Sequence, residues 1–318
     1  MLGFDIGGTK CAVSVGVPFE DGITITDKRI IPTDLSISPY EMIDRMCASA
    51  EEMTDDCSLI GISCGGPLDS KQGIILSPPN LVGWDEVKIV EYLEKRYGGH
   101  AYLQNDANAC ALAEWRFGAG RGTESMVFLT CGTGMGAGIV INGRIYEGAC
   151  DAAGEVGHMR LAKEGPVGFG KAGSFEGFCS GGGIGLLGRA MARKRLERGE
   201  TLPYCATEAQ LGDINAAVLA KYARLGDPVA VQAYKTAGKR LGQALAILID
   251  VLNPEKIVIG SVFVRSEDLL RGPMQKVLEK ETLPASLAAC QVVGAALGEQ
   301  IGDYAALTVA VEGEKYRR

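Results

Sequence analysis

Several short stretches of the chain place glycine, hydroxyl and carboxylate residues at spacings that suit phosphate and hydroxyl chemistry. One is Asp5-Ile6-Gly7-Gly8-Thr9-Lys10. Adjacent glycines let backbone N–H groups converge on an anion. Thr9 adds a hydroxyl donor, and Asp5, near the end of an apolar run, is the kind of carboxylate that holds hydrated Mg2+ through water. The same letters also describe an ordinary Gly-Gly hairpin turn. A second cradle, Gly132-Thr133-Gly134-Met135-Gly136-Ala137-Gly138, follows Thr130. It matches the GxGxxA spacing of dinucleotide loops, but those loops open a helix. Here a β-branched run with an Asn-Gly hairpin signal follows instead. Gly165-x4-Gly170-Lys171 fails as a Walker loop, because Ala172 stands where a Ser or Thr must meet Mg2+. Neither a Rossmann site nor a P-loop is predicted.

The remaining candidates are acids, amides and one imidazole. Asn105-Asp106 sits between a short apolar run, Ala101–Gln104, and an alanine-rich helical stretch. A carboxylate at such a junction can accept a hydroxyl proton while a phosphoryl group arrives. It is equally the place for an aspartate that caps a helix. Glu155 and His158 are spaced to point together from one turn, and Glu176 follows in a second loop. Side chains of these types read hydroxyls by accepting and donating several bonds. The ten cysteines are scattered, with no CxxC pair, so no metal knuckle or redox motif is predicted.

The elements that must position these residues follow from hydrophobic period and turn chemistry. Leu2–Ile6, Cys11–Val17 and Ile23–Ile31 read as an antiparallel meander. Pro39–Thr54, Glu86–Arg96 and Asn108–Phe117 have helical spacing, with short strands at Leu59–Ser63 and Ala101–Gln104. Ser125–Gly143 holds no charge, but its glycines suit two buried strands around a turn better than a membrane helix. Further helices are predicted over Ile184–Arg198, Ala206–Arg224, Val229–Leu252, Glu267–Glu281 and Glu299–Val311, with a strand at Lys256–Ile259. GFDIGGTKCAVSV and FLTCGTGMGAGIVI are both strand, glycine turn with threonine, strand, which suggests two related halves.

Composition bounds the function. A chain of 318 residues suits two domains. Its 32 basic against 39 acidic side chains give a net charge of −7, the wrong sign for a nucleic-acid partner. Asp5 interrupts any signal-peptide core, and scattered cysteines without an export signal fit a reducing cytoplasm. The 44 glycines, crowded between Gly118 and Gly188, mark a loop system on a rigid scaffold.

Taken in order, these motifs resemble the ROK family of sugar kinases and sugar-responsive repressors, of the actin/hexokinase/Hsp70 superfold. DIGGTK resembles its first phosphate motif, QNDANACALAEW (104–115) its connecting helix with the catalytic aspartate, and TCGTGMGAG (130–138) its second phosphate motif. NGRIYEGACDAAGEVGHM (142–159) is similar to its signature, and NPEKIVIGS (253–261) to its adenosine motif. The resemblance covers essentially the whole chain. It implies an α/β, two-domain actin-like ATPase (ribonuclease H-like) fold with an interdomain cleft. The expected small domain is 1–107 with 296–318 returning to it, and the large domain is 108–295.

The implied activity is ATP-dependent phosphorylation of a hexose, glucose or an N-acetylated hexosamine, as in the glucokinase-like members. The alternative is a non-enzymatic or weakly active sugar-binding sensor of the repressor branch without its DNA-binding domain. Asp106 would be the general base. Sugar contacts would come from Gly66, Asn80, Asn105, Asp106, Glu155, His158 and Glu176. ATP and Mg2+ would be held by Asp5, Gly7, Gly8, Thr9, Lys10, Thr130, Gly132, Thr133, Gly134, Gly136 and Gly260, with Asp5 reaching Mg2+ through water. The implied partners are a hexose and a nucleotide, with no nucleic acid and no membrane; a homodimer is a family expectation.

The chain departs from the family pattern in three places. Many members bind structural zinc through the ExGH histidine and three cysteines. Here those cysteine positions are Val167, Phe169 and Ser174, so no zinc is expected, and Phe169 with Phe175 is predicted to plug the loop. The substrate loop reads Gly61-Ile62-Ser63-Cys64-Gly65-Gly66-Pro67-Leu68-Asp69, with its proline displaced. Ser261 stands where a second glycine is common.

Overall fold

The computed structural model describes residues 1–19 and 22–317. In chain order the elements begin with β1 (Leu2–Ile6), β2 (Lys10–Phe19), β3 (Gly22–Pro32), α1 (Pro39–Glu51), β4 (Leu59–Cys64), β5 (Leu68–Asp69), β6 (Ile74–Ile75), α2 (Ile89–Tyr97), β7 (His100–Asn105) and α3 (Asp106–Phe117). They continue with β8 (Met126–Leu129), β9 (Ala137–Ile141), β10 (Arg144–Ile145), β11 (Val167–Gly168), β12 (Lys171–Ala172), α4 (Phe175–Cys179) and α5 (Gly181–Leu196). The last are α6 (Ala216–Arg224), α7 (Pro228–Leu252), β13 (Lys256–Ile259), α8 (Val262–Glu281), α9 (Pro284–Ala289), β14 (Gln291–Gly294) and α10 (Ile301–Lys315).

Contacts divide the chain into two units: 1–124 with 138–153 and 296–318, and 125–137 with 154–295. This partition leaves α3 whole in the first unit, whereas the boundary read from the sequence separates Asp106 and Ala107 from the rest of it. The physical reason is α10: Ala109, Leu112 and Ala113 of α3 share one buried cluster with Ala305 and Val309 of α10.

The first unit is built on a five-stranded sheet of order β3-β2-β1-β4-β7. The expected meander is there: β1 pairs antiparallel with β2, and β2 with β3. β4 then joins β1, and β7 joins β4, both parallel. Alternating Leu2, Phe4 and Ile6 are buried with Ile60 and Ile62 of β4 and with Met42, Ile43 and Met46 of α1. α1 starts sharply because Ser38 and Glu41 form a reciprocal capping box and Pro39 fills the first turn.

The second sheet has the order β10-β9-β8-β13-β14, with β8, β13 and β14 parallel. The uncharged stretch from Ser125 thus forms β8 and β9 around a glycine turn, as predicted. Among the described residues no helix is long and apolar enough to cross a membrane. The predicted helix over Ala206–Arg224 is broken. Glu208–Asp213 is a 3-10 turn, and Asn215 caps a new helix by accepting from the Val218 N–H. Gly212-Asp213 ends the first turn, since glycine and aspartate are both poor helix formers.

Candidate functional site

In the first unit, strand register gathers the candidates. Ile6 lies opposite Cys64, and Cys64 opposite Asn105. The carboxyl ends of three parallel strands therefore finish level, the usual location of ligand sites in open α/β sheets. Asp5, the Gly65-Gly66 turn and Asn105-Asp106 all sit at that edge. A Cβ on Gly66 would lie 3.2 Å from the Asn105 amide nitrogen. Asn80 arrives from the long loop before α2, and a Cβ on Gly8 would lie 2.2 Å from its carbonyl oxygen. Glycine at 8 is thus required by close backbone approach. The turn itself is closed by Gly7 N–H donating to Lys10 O at 3.2 Å and by Thr33 Oγ1 donating to Gly7 O at 2.6 Å.

Asn105, not Asp106, is the residue that caps α3: its Oδ1 accepts from the Ala107 N–H at 3.0 Å. Asp106 is the first helical residue, and its Oδ1 also accepts from Ala107 N–H, at 2.8 Å. It keeps contact with solvent, yet the protein mass around it raises its carboxyl above the usual range by desolvation. That direction suits a group that must take up a proton. Asp5 is half-buried and pushed up to about 6, first by burial, then by the charges of Asp106 and Asp303, with Lys28 and Lys10 opposing. Asp303 is buried on α10 and accepts from Ser14 Oγ at 3.1 Å and Lys28 Nζ at 2.6 Å. Anionic charge held against burial is what a nearby cation relieves. Among the described residues no group of three or more His, Cys, Asp or Glu could hold a metal ion. Asp5 supplies one carboxylate of the kind that can meet hydrated Mg2+ through water.

The second unit gathers the other candidates. Ile259 lies opposite Leu129, which sets Gly260 beside Thr130. Gly260 N–H donates to Leu129 O at 2.9 Å, and Val262 N–H to Cys131 O at 3.1 Å. Ser261 between them has φ 51° and ψ −111°, a conformation L side chains rarely adopt. A glycine is common there for that reason. The loop Gly132–Gly136 is closed by Thr130 N–H donating to Gly136 O at 3.0 Å, and Gly181 N–H donates to Gly132 O at 2.8 Å. The first turn of α5, Gly181-Gly182-Gly183 capped by Ser180, thus lies against the glycine loop. Sequence reasoning assigned it no role, although the Ser-Gly-Gly-Gly run was a visible signal.

Glu176 lies in the first turn of α4 behind the Ser174 cap, and its Oε2 accepts from the Met135 N–H at 3.0 Å. A Cβ on Gly157 would sit 2.3 Å from Met135 O and 3.4 Å from Glu176 Cβ. The Glu155–His158 turn, Glu176 and the glycine loop therefore form one cluster. Glu155 and His158 are both exposed there.

The expected apolar plug is half wrong. Phe175 is fully buried, but Phe169 is 80% exposed and holds φ 41°; it meets the His158 ring edge-on at 6.3 Å. A left-handed position between two glycines turns the side chain outward. The loop is instead tied to the His158 turn by polar bonds. Lys171 Nζ donates to His158 O at 2.8 Å, and Arg160 Nη1 to Ala172 O at 2.6 Å. Phe175 N–H donates to Met159 O at 2.8 Å.

Comparison with known proteins agrees with this geometry. The model of the ROK family matches residues 1–312. The glucokinase of Thermotoga maritima is 31% identical over 98% of this chain and 97% of its own. The crystal structure of a ROK hexokinase from Thermus thermophilus covers 99% of both chains with a TM-score of 0.80 and 27% identity. That of a ROK family glucokinase from Streptomyces griseus, in complex with glucose and AMPPNP, covers 98% of this chain and 99% of that chain, with a TM-score of 0.74 and 30% identity. With strand ends, glycine turns and signature turn in place along its whole length, this chain belongs to the ROK family and has the α/β, actin-like fold of its kinases.

Proposed function

We propose that this protein transfers the γ-phosphoryl group of ATP to a hydroxyl of a hexose, glucose first among the candidates and N-acetylated hexosamines next. The observation that carries the reading is the level edge of β1, β4 and β7. It places Asp106, solvent-accessible and raised in pKa, beside Asn105, Gly66 and Asp5. Full-length likeness to a glucokinase, and to a glucokinase structure holding glucose and an ATP analogue, supports the same reading over a sensor.

In this mechanism Asp106 accepts the proton of the attacking sugar hydroxyl. Gly66, Asn80, Asn105, Glu155, His158 and Glu176 are assigned to orienting the sugar. The backbone N–H groups of Gly8 and Thr9 would cradle phosphate oxygens in the turn that the Gly7 N–H closes, with Lys10 at its end. Gly132, Thr133, Gly134 and Gly136 are assigned the same role in the loop that the Thr130 N–H closes, and Gly260 is assigned to the adenosine. Asp5 would hold Mg2+ through water, and the ion would supply neutralisation of phosphate charge. Phosphoryl transfer asks mainly for positioning and charge stabilisation, and glycine turns on rigid strand ends are suited to it.

A coupled assay of ATP consumption over a panel of hexoses and N-acetylhexosamines tests the reading. Turnover of glucose or an N-acetylhexosamine with stoichiometric sugar phosphate is expected. Tight sugar binding without turnover would favour the sensor.

A further inference from the structure

β7, which ends on Asn105 and leads straight into Asp106, carries at its last position but one a buried glutamine with no role in the mechanism above. Gln104 is 5% exposed. Its Oε1 accepts from the Asn105 N–H at 2.8 Å and from the Asn108 amide at 3.1 Å. Its Nε2 donates to Glu147 Oε1 at 2.9 Å. A side-chain amide supplies an acceptor and a donor at once. Leucine here would orphan all three partners, and glutamate would set one carboxylate against another.

Glu147 belongs to the segment that follows β10. Its carbonyl accepts from Ala153 N–H at 3.0 Å, which closes that segment into a loop. Within the loop, Asp151 accepts from Ser70 N–H at 3.0 Å and from Ser70 Oγ at 2.8 Å. The loop is therefore pinned to the first unit at two points, and one of them is Gln104. Asn105 is fixed from both sides: its N–H is tied to Gln104, and its Oδ1 caps α3, which leaves its Nδ2 for the sugar. The direction of the next carboxylate, Asp106, follows from that double restraint.

We propose that Gln104 is a positioning residue for the Asn105-Asp106 pair, held in register by Glu147. The proposal rests on the sugar-kinase reading, because it assigns Gln104 the aim of that reaction's base. A base displaced by about 1 Å can cost about a hundredfold in rate.

The test is steady-state kinetics of Gln104→Glu, Glu147→Ala and the exchange Gln104→Glu/Glu147→Gln. In Gln104→Glu, kcat should fall about ten- to a hundredfold while KM for ATP stays within about twofold. In the exchange, donor and acceptor trade places, and kcat should return to within about threefold of wild type. A merely structural defect would not be rescued in this way. An exchange variant no better than Gln104→Glu, or a Gln104→Glu enzyme with wild-type kcat, overturns the proposal. Should Gln104→Glu fail to fold, Glu147→Ala decides, since Glu147 is only half-buried: a lowered kcat supports the proposal, and wild-type kcat overturns it. A wild-type protein that phosphorylates no sugar overturns the functional reading and this role with it. An active wild type with indifferent variants overturns this role alone.

Discussion

Replacing Asp5 by asparagine should make the protein more stable and less active, in a pH-dependent way. The Asp5 carboxyl is pushed from 3.8 to about 6, mainly by burial and by the nearby charges of Asp106 and Asp303. At about 1.4 kcal/mol per pH unit, that difference corresponds to about 3 kcal/mol charged against folding. Asp5 is half-buried, and solvent screening reduces the expected gain to about 1–2 kcal/mol. Because the folded state holds the Asp5 proton more tightly than the unfolded state, the penalty is absent below about pH 4. It grows as pH rises towards about 6 and is constant above it. Asp5→Asn should therefore raise Tm by about 1.5–3 °C at pH 8, and the gain should vanish by about pH 4. Thermal unfolding in EDTA across that range measures it, with turnover recorded on the same samples. A variant no more stable than wild type at pH 8, or a gain independent of pH, would refute the reasoning. Unchanged turnover would remove Asp5 from phosphate and Mg2+ positioning.

Two further outcomes are expected. The loop from Val167 to Ser174 should work without zinc, tied by Lys171 and Arg160; activity should resist zinc-specific chelators, and a zinc-dependent restoration of lost activity would contradict this. Ser261→Gly should raise stability by about 1 kcal/mol by relieving the left-handed backbone; denaturant unfolding checks it, and a loss of stability would show that the hydroxyl matters more than the strain.

What was legible in the sequence is what depends on neighbours along the chain. Leu2 to Ile31 alternates and turns as a meander should. The glycine turns at 7–8 and 132–136 announce close backbone approach, and Asn105 precedes an alanine-rich run as a cap does. The hidden parts are pairs that only folding brings together. Gln104 meets Glu147 across 43 positions, and Lys28 meets Asp303 across 275. Glu114 is fully buried in α3 because its carboxylate accepts from Ala119, Ala296 and Leu297 N–H groups, two of them far along the chain. An apolar ring at a zinc-ligand position suggests a plug at Phe169, whereas the left-handed backbone there decides where its ring points. The helix beginning at Asp106 was placed two residues late, since an Asn-Asp-Ala-Asn run offers a cap at more than one position.

The measurement closest to the central claim compares kcat and sugar affinity for wild type and Asp106→Asn. The amide keeps the shape and the bond from Ala107 N–H but cannot take up the hydroxyl proton. Calorimetry should find sugar binding within about tenfold of wild type, while kcat falls by about 10²–10⁴, the usual worth of a positioned base. Turnover within a few-fold of wild type would contradict the assignment of Asp106 as the base, and with it the account of how the level strand ends do chemistry.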